Sequence, residues 1–310
     1  MAILDQNNIC LIFRLARLRF LFPGFLLFSL GYLISMHSGV NFDIHKFFFG
    51  YLSFSLAHLS ISFSNDYFDR NSDVNSKKTI FTGGSKVLVE HPNLASCAHK
   101  IAILLLVAST ISLVIFAFFF SYSVWFVIYG VLGGLIGYFY SAPPISFSYK
   151  GAGEIIGIIS IGFLIPGMGS IVASGSIDQS LFLFIFPLCC YGLFFMLNVE
   201  IPDLESDKIA NKKNLIVKFG RRSGKILLAL SSALATIYIL FLELSGSFSI
   251  YFPFGLFTIM SIIPLISSII GLIENRDERK GINQQAFMNI VAIIFFILIV
   301  DLILFLNLIL

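Results

Sequence analysis

Nine stretches of nearly unbroken apolar sequence follow one another along the chain, near residues 20–37, 47–64, 98–119, 122–140, 153–174, 180–198, 225–244, 249–273 and 286–310. Each is close to the roughly 20 residues that cross a ~30 Å hydrocarbon core as a helix. The expected architecture is therefore an all-α integral membrane protein of nine transmembrane helices, a single domain over residues 1–310. The breaks between runs carry turn chemistry. Ser121-Tyr122-Ser123 is a tight uncharged turn that makes the third and fourth spans an antiparallel hairpin. Pro143-Pro144 stops the fourth span, since neither residue can donate a backbone hydrogen bond. Gly157, Gly162, Pro166, Gly167 and Gly169 predict a broken fifth helix, buried in protein or lining a cavity. Gly130, Gly133, Gly134 and Gly137 recur at spacings that permit close helix contact.

Composition agrees with this pattern. With 57% hydrophobic residues, 12% charged and a mean hydropathy of +0.94, the chain has too little polar surface to coat a soluble globule of 310 residues. The charges that remain report orientation, because Lys and Arg collect in cytoplasmic loops. Of 20 basic residues only Lys46 falls in a loop of the opposite parity, which leaves 19 on one side. A cytoplasmic N-terminus and an external C-terminus in the cell membrane follow, with residues 65–97 and 199–224 as cytoplasmic acidic and basic loops. The net charge of +3 is thus a topology signal and implies no nucleic-acid partner. Residues 1–19 predict an interfacial N-terminal segment rather than a cleaved signal, since Arg14, Arg17 and Arg19 follow an apolar run with no small-residue cleavage site. Cys10, Cys97, Cys189 and Cys190 form no CxxC pair and suggest neither zinc nor disulfides.

Chemistry concentrates at two helix ends. Asp66, Asp69 and Asp73 are spaced so that a continuing helix would put all three on one face. Glu200, Asp203 and Asp207 repeat the arrangement after the sixth span, with Pro202 expected in the first turn of a new helix or at a kink. A solvated helix end is the plain alternative for one such cluster. Two clusters, each followed by a Lys-rich loop, fit facing Mg²⁺ sites that neutralise a diphosphate. The apolar bundle, with 36 Phe and 11 Tyr, suits a hydrocarbon tail on that diphosphate. The combination describes an isoprenyl diphosphate, whose allylic cation aromatic faces stabilise and apolar walls protect from water. The Gly83-Gly84-Ser85-Lys86 turn either approaches phosphate oxygens or is a flexible loop. Lys150 is either a positive-inside anchor or a contact to the diphosphate or an acidic acceptor. Asp301, about 22 Å along the ninth span at 1.5 Å per residue, is expected near the outer interface, away from the other acids.

These residues resemble the UbiA superfamily of intramembrane aromatic prenyltransferases. The first signature, NDxxDxxxD, stands as Asn65 to Asp73, and the second, DxxxD, as Asp203 to Asp207. Asn214 to Gly220 is similar to the TLxVRLG segment that follows, with Lys218 for its Arg. The stretch from Tyr140 to Glu154 and the Gly83-Gly84-Ser85-Lys86 loop look most like the MenA branch, which prenylates 1,4-dihydroxy-2-naphthoate. The resemblance implies nine helices around a central cavity, with Mg²⁺ as cofactor. It implies Asp66, Asp69, Asp73, Asp203 and Asp207 as metal ligands, and Asp66, Asp69, Asp203 and Lys150 in catalysis. Asn65, Lys86, Tyr140, Asn198, Lys212 and Lys218 are implied in substrate binding. The second motif departs at Val199, where many members carry Asn or Asp, and Asn198 or Glu200 is left to substitute. The implied partners are an isoprenyl diphosphate donor, an aromatic acceptor and the bilayer. A non-aromatic lipid acceptor, such as a glyceryl phosphate ether lipid or a carotenoid, is the alternative within the family. A secondary transporter is the alternative of another class, and it would carry its acids mid-span. The DGxxAR pattern of CDP-alcohol phosphotransferases is absent.

Overall fold

Apolar runs of this length satisfy their backbone groups in lipid only by coiling into helices, and every regular element among the described residues is a helix. The computed structural model describes residues 6–76, 79, 81–246, 252–274 and 278–309. Lys77, Lys78 and Arg276, counted above as loop cations, lie outside the described residues, as do residues 1–5 of the N-terminal segment, 249–251 of the eighth expected span and 310 of the ninth. The principal helices are α1 (Gln6–Ala16), α2 (Leu21–His37), α3 (Ile44–Phe68), α4 (Ala95–Phe119), α5 (Val124–Tyr138), α6 (Gly153–Ile159), α7 (Ile165–Ser174), α8 (Phe182–Ile209), α9 (Leu215–Ser245), α10 (Phe254–Ile273) and α11 (Arg279–Ile309). Eight helices among the described residues are long and apolar enough to cross a membrane. The fourth expected span, α5, has 15 residues and reaches about 22 Å at 1.5 Å per residue.

The broken fifth span is observed: α6 passes through a π turn at Ser160–Leu164 into α7, whose second residue is Pro166. The break lets α7 cross α2 with backbones in contact. A Cβ on Gly31 would lie 1.7 Å from the Pro166 carbonyl oxygen, and one on Gly169 would lie 1.9 Å from that of Phe28. Between α3 and α4 the contact is made by hydroxyls. Ser60 donates to the Ala102 carbonyl at 2.7 Å and Ser109 to that of Ser53 at 2.7 Å, bonds that have no competing water in a bilayer. Asp43 caps α3 by accepting from His45 and Lys46, and Asn214 caps α9 by accepting from Val217. Large apolar side chains at the outer surface, Phe118, Phe119, Trp125 and Leu244 among them, are mostly exposed, as a lipid-facing surface requires.

Three expectations change. The two motif segments are helical rather than loop: α3 runs to Phe68, and α8 continues through Pro202 to Ile209. Pro202 therefore sits inside α8, where its missing N–H removes one backbone bond, and not in the first turn of a new helix. The polar connection after the second motif shrinks to residues 210–214. The N-terminal segment also makes tertiary contacts. Leu15 and Ala16 are buried in a cluster with Phe63, Val87 and Leu88, so α1 is docked on α3.

Candidate active site

The first acids share a face, as their spacing predicted. Asp69 interrupts α3, yet its N–H still donates to the Asn65 carbonyl and that of Asp73 to Asp69, both at 2.8 Å, so the helical path continues through a turn at Arg70–Asp73. Asp66, Asp69 and Asp73 face Glu200, Asp203 and Asp207 of α8 across one cavity of about 410 Å³. The two acidic banks stand at its polar end. Toward its other end the walls are apolar, with Phe54, Ile61, Leu113, Leu164 and Met168. From Asp66 to Ser53, both on the wall, α3 advances about 20 Å at 1.5 Å per residue.

The loop before Lys86 joins the banks. Gly83 and Gly84 both have positive φ, 77° and 66°, which glycine adopts freely. The Ser85 N–H donates to Asp66 at 3.3 Å, and Thr82 and Gly83 share the cavity wall with Asp203. The loop thus turns toward carboxylates. Lys86 ties the loop down by donating to the carbonyls of Asp73 and Ser76 and to the Ser76 hydroxyl at 2.9 Å.

Asp69 accepts from the Tyr149 hydroxyl at 2.7 Å and the Ser141 hydroxyl at 2.8 Å. Asp207 accepts from Asn214 at 2.7 Å and pairs with Lys212 at 3.3 Å. The Lys212 ammonium also lies 5.4 Å from the centre of the Tyr149 ring. Burial opposes the Lys212 charge, but Asp69 and Asp207 outweigh it and raise the ammonium above its ordinary pKa. Burial, reinforced by Asp69 and Asp66, pushes Asp73 up to about 7. Burial and then Asp69 push the Tyr149 phenol up to about 12.

A divalent cation fits this donor set. Asn65 Oδ1, Asp66 Oδ2, Glu200 Oε2 and Asp203 Oδ1 are buried without a hydrogen-bond partner, and all four residues line the cavity. Unpaired buried oxygens of this kind are costly unless a cation or water meets them. No three His, Cys, Asp or Glu side chains among the described residues converge as a closed metal cage. Mg²⁺ takes few protein carboxylates and keeps waters and substrate phosphate oxygens among its ligands.

The other expected site residues divide. Asn65, Tyr140 and Lys212 line the cavity. Lys150 does not: it is exposed and donates to the Pro144 carbonyl at 2.7 Å, while its neighbour Tyr149 reaches the acids. Lys86 is a clamp on the loop, and Lys218 is exposed with its ammonium 5.0 Å from the centre of the Phe219 ring. Asn198 turns away, accepting from Asn289 at 2.9 Å and donating to the Phe194 carbonyl. Val199 and Glu200 both line the cavity, so of the two polar residues beside Val199 it is Glu200 that stands on the wall. Sequence reasoning missed Tyr149 and Ser141, whose flanking Pro-Pro and Lys150 drew attention, and Arg17, which the positive-inside pattern absorbed. Asp301 is buried in α11 and does not line the cavity.

A membrane-embedded helical protein with acidic banks at one end of an apolar cavity is built for an amphiphile with an anionic head. The chain belongs to the UbiA prenyltransferase family, whose sequence pattern matches residues 25–296. It is 25% identical over 272 residues to the 1,4-dihydroxy-2-naphthoate octaprenyltransferase of Bacillus subtilis (strain 168), covering 86% of this chain and 83% of that protein. The fold is similar to that of a UbiA homolog from Archaeoglobus fulgidus bound to GPP and Mg²⁺, with a TM-score of 0.60 at 19% identity, over 92% of this chain and 99% of the other. A structure of digeranylgeranylglyceryl phosphate synthase matches with a TM-score of 0.64 at 16% identity, over 96% and 99% of the two chains.

Proposed function

We propose that this enzyme transfers an isoprenyl group from an isoprenyl diphosphate to an aromatic quinone precursor of the 1,4-dihydroxy-2-naphthoate kind, releasing diphosphate, with Mg²⁺ as cofactor. The observation that carries the reading is the pair of acidic banks with unpartnered buried oxygens at the head of an apolar cavity. The named Bacillus subtilis relative supports the aromatic acceptor. The homolog that holds GPP and Mg²⁺ in the same fold supports donor and cofactor.

Asp66, Asp69 and Asp73 on one bank and Asp203 and Asp207 on the other would hold the metal, with Glu200 beside them. When bound, Mg²⁺ neutralises charge that develops on the departing diphosphate. The chain's own residues do the rest. Lys212, kept charged by Asp69 and Asp207, faces the leaving group. Tyr149 and Ser141 hold the Asp69 carboxylate at a fixed angle. Tyr140 and Phe195 present ring surface to the allylic carbon while its C–O bond to diphosphate breaks, a C–C bond to the acceptor forms and the attacked ring carbon gives up its proton or its carboxylate as CO2. The apolar walls exclude water that would capture that carbon. The same reading has the acidic end of the cavity facing the cytoplasm, on the strength of the 19-to-1 basic asymmetry.

Purified protein with Mg²⁺, labelled prenyl diphosphates and three acceptors tests this: 1,4-dihydroxy-2-naphthoate, 4-hydroxybenzoate and a glyceryl phosphate ether lipid. Prenylated naphthoate that disappears with EDTA is expected. Product with the ether lipid alone would refute the aromatic acceptor, and no product with any of them would refute the reaction.

A further inference from the structure

Among the described residues the cavity wall carries one lysine, Lys212, and one arginine, Arg17, besides the imidazole of His58. Lys212 is committed to Asp207 and Tyr149. Arg17 arrives by a different route. It joins α1 to the short turn Leu18–Phe20 with φ 46° and ψ 46°, a left-handed conformation that non-glycine residues seldom adopt. The turn sends Leu18 and Arg19 outward and Arg17 inward, behind the buried anchors Leu15 and Ala16. Its guanidinium carbon lies 4.5 Å from the centre of the Phe20 ring, itself part of the cavity wall.

The contact Arg17 makes there is an open one. Nη1 lies 3.6 Å from Asp66 Oδ1, close enough for an ion pair and too far for a hydrogen bond. Arg17 Nε is buried with no partner, as is the second Asp66 oxygen. A half-buried cation and a buried anion that both keep unused hydrogen-bonding capacity are matched in charge and unmatched in geometry. A guanidinium fork matches phosphate oxygens better, and a divalent cation matches a carboxylate better.

We propose that Arg17 is an exchanging counter-ion: it neutralises Asp66 while the acidic bank holds no metal, and it turns to the diphosphate oxygens once a divalent cation takes Asp66. The proposal rests on the metal and diphosphate reading above. Its consequence is a pair of effects of opposite sign. Arg17 competes with the cation when diphosphate is absent and assists binding when diphosphate is present. An anchor that merely adds positive charge at the membrane surface produces neither.

Calorimetry on the purified full chain reads both effects, first with Mg²⁺ alone and then with inorganic diphosphate in saturating Mg²⁺. Arg17→Gln is expected to tighten Mg²⁺ about fivefold and weaken diphosphate about tenfold, as loss of one charge-assisted contact predicts. Arg17→Lys keeps the charge and loses the fork, so Mg²⁺ affinity holds while diphosphate weakens about threefold. Asp66→Asn tests the underlying reading by itself and is expected to lose most Mg²⁺ binding. Wild-type Mg²⁺ binding in Asp66→Asn would overturn the metal assignment and the exchange with it. Loss in Asp66→Asn, with both affinities of Arg17→Gln moving together or not at all, would overturn the exchange alone. Wild-type diphosphate affinity in Arg17→Lys would overturn it too, which keeps the test decisive should the Gln variant fail to fold.

Discussion

Adding one methyl group at Gly84 separates geometry from charge at the acidic end of the cavity. A Cβ there would lie 2.0 Å from Asp73 Oδ2 and 2.8 Å from its Cγ, where non-bonded contact needs about 3.5 Å. The carboxylate and the loop must part by about 1.5 Å. Asp73 cannot simply withdraw, because Lys86 holds its carbonyl and its N–H is bonded to Asp69 at 2.8 Å. The strain falls on the carboxylate angle or on the loop that reaches Asp203, and both alter the gap between the banks. The left-handed φ of 66° adds about 1 kcal/mol for an alanine, which a bundle of this size tolerates. A displacement near 1 Å at reacting groups costs about 100-fold, or roughly 2.7 kcal/mol at the barrier. Gly84→Ala is therefore expected to fold, to lose about 10- to 100-fold in kcat and to need more Mg²⁺ for half-maximal rate. Initial rates across a Mg²⁺ titration, with a melting curve for each protein, measure this. Gly133→Ala is the control, since nothing lies within 4 Å of its Cβ. Wild-type kcat and Mg²⁺ dependence in Gly84→Ala would show that the distance between loop and acids does not matter to the reaction.

Tyr149→Phe removes the donor to Asp69 and should lower kcat/KM for the donor about tenfold, near 1.4 kcal/mol for a hydrogen bond to a charge; Lys150→Gln should change it less than about twofold, and the reverse order would restore Lys150 to the site. Gly133 faces open cavity, so Gly133→Phe should reject a long prenyl diphosphate about tenfold more than GPP in kcat/KM; an equal loss for both would mean the tail lies elsewhere. Cysteines introduced at Asn75 and Ser176, both exposed, into a background without the four native cysteines should be labelled from the cytoplasmic and external sides respectively. Labelling of both from one side would contradict the orientation drawn from the basic residues.

Much of this protein is legible in its sequence because the controlling interactions are short in range. An apolar run must become a helix in lipid, whatever its neighbours, and the spacing of Asp66, Asp69 and Asp73 puts them on one face wherever that helix packs. The Pro166 break followed from the same local rules, whereas the facing of the two acidic clusters was read from their matching patterns and the family resemblance. What each intervening polar residue faces did not. Asn198 and Glu200 stand two positions apart, about 200° around a helix, so the two point to nearly opposite sides. Which of them reaches the cavity is decided by the rotation of α8, held where Asn289 of α11 donates to Asn198. Lys150 and Tyr149 are neighbours in a single turn, and the positions of Asp69 and the Pro144 carbonyl separate their fates. Arg17 carries the same charge as Arg14 and Arg19, and only the left-handed turn behind the buried Leu15 directs it to Asp66. Helix and motif are properties of local chain geometry, whereas the direction of one side chain depends on contacts with segments far away in sequence.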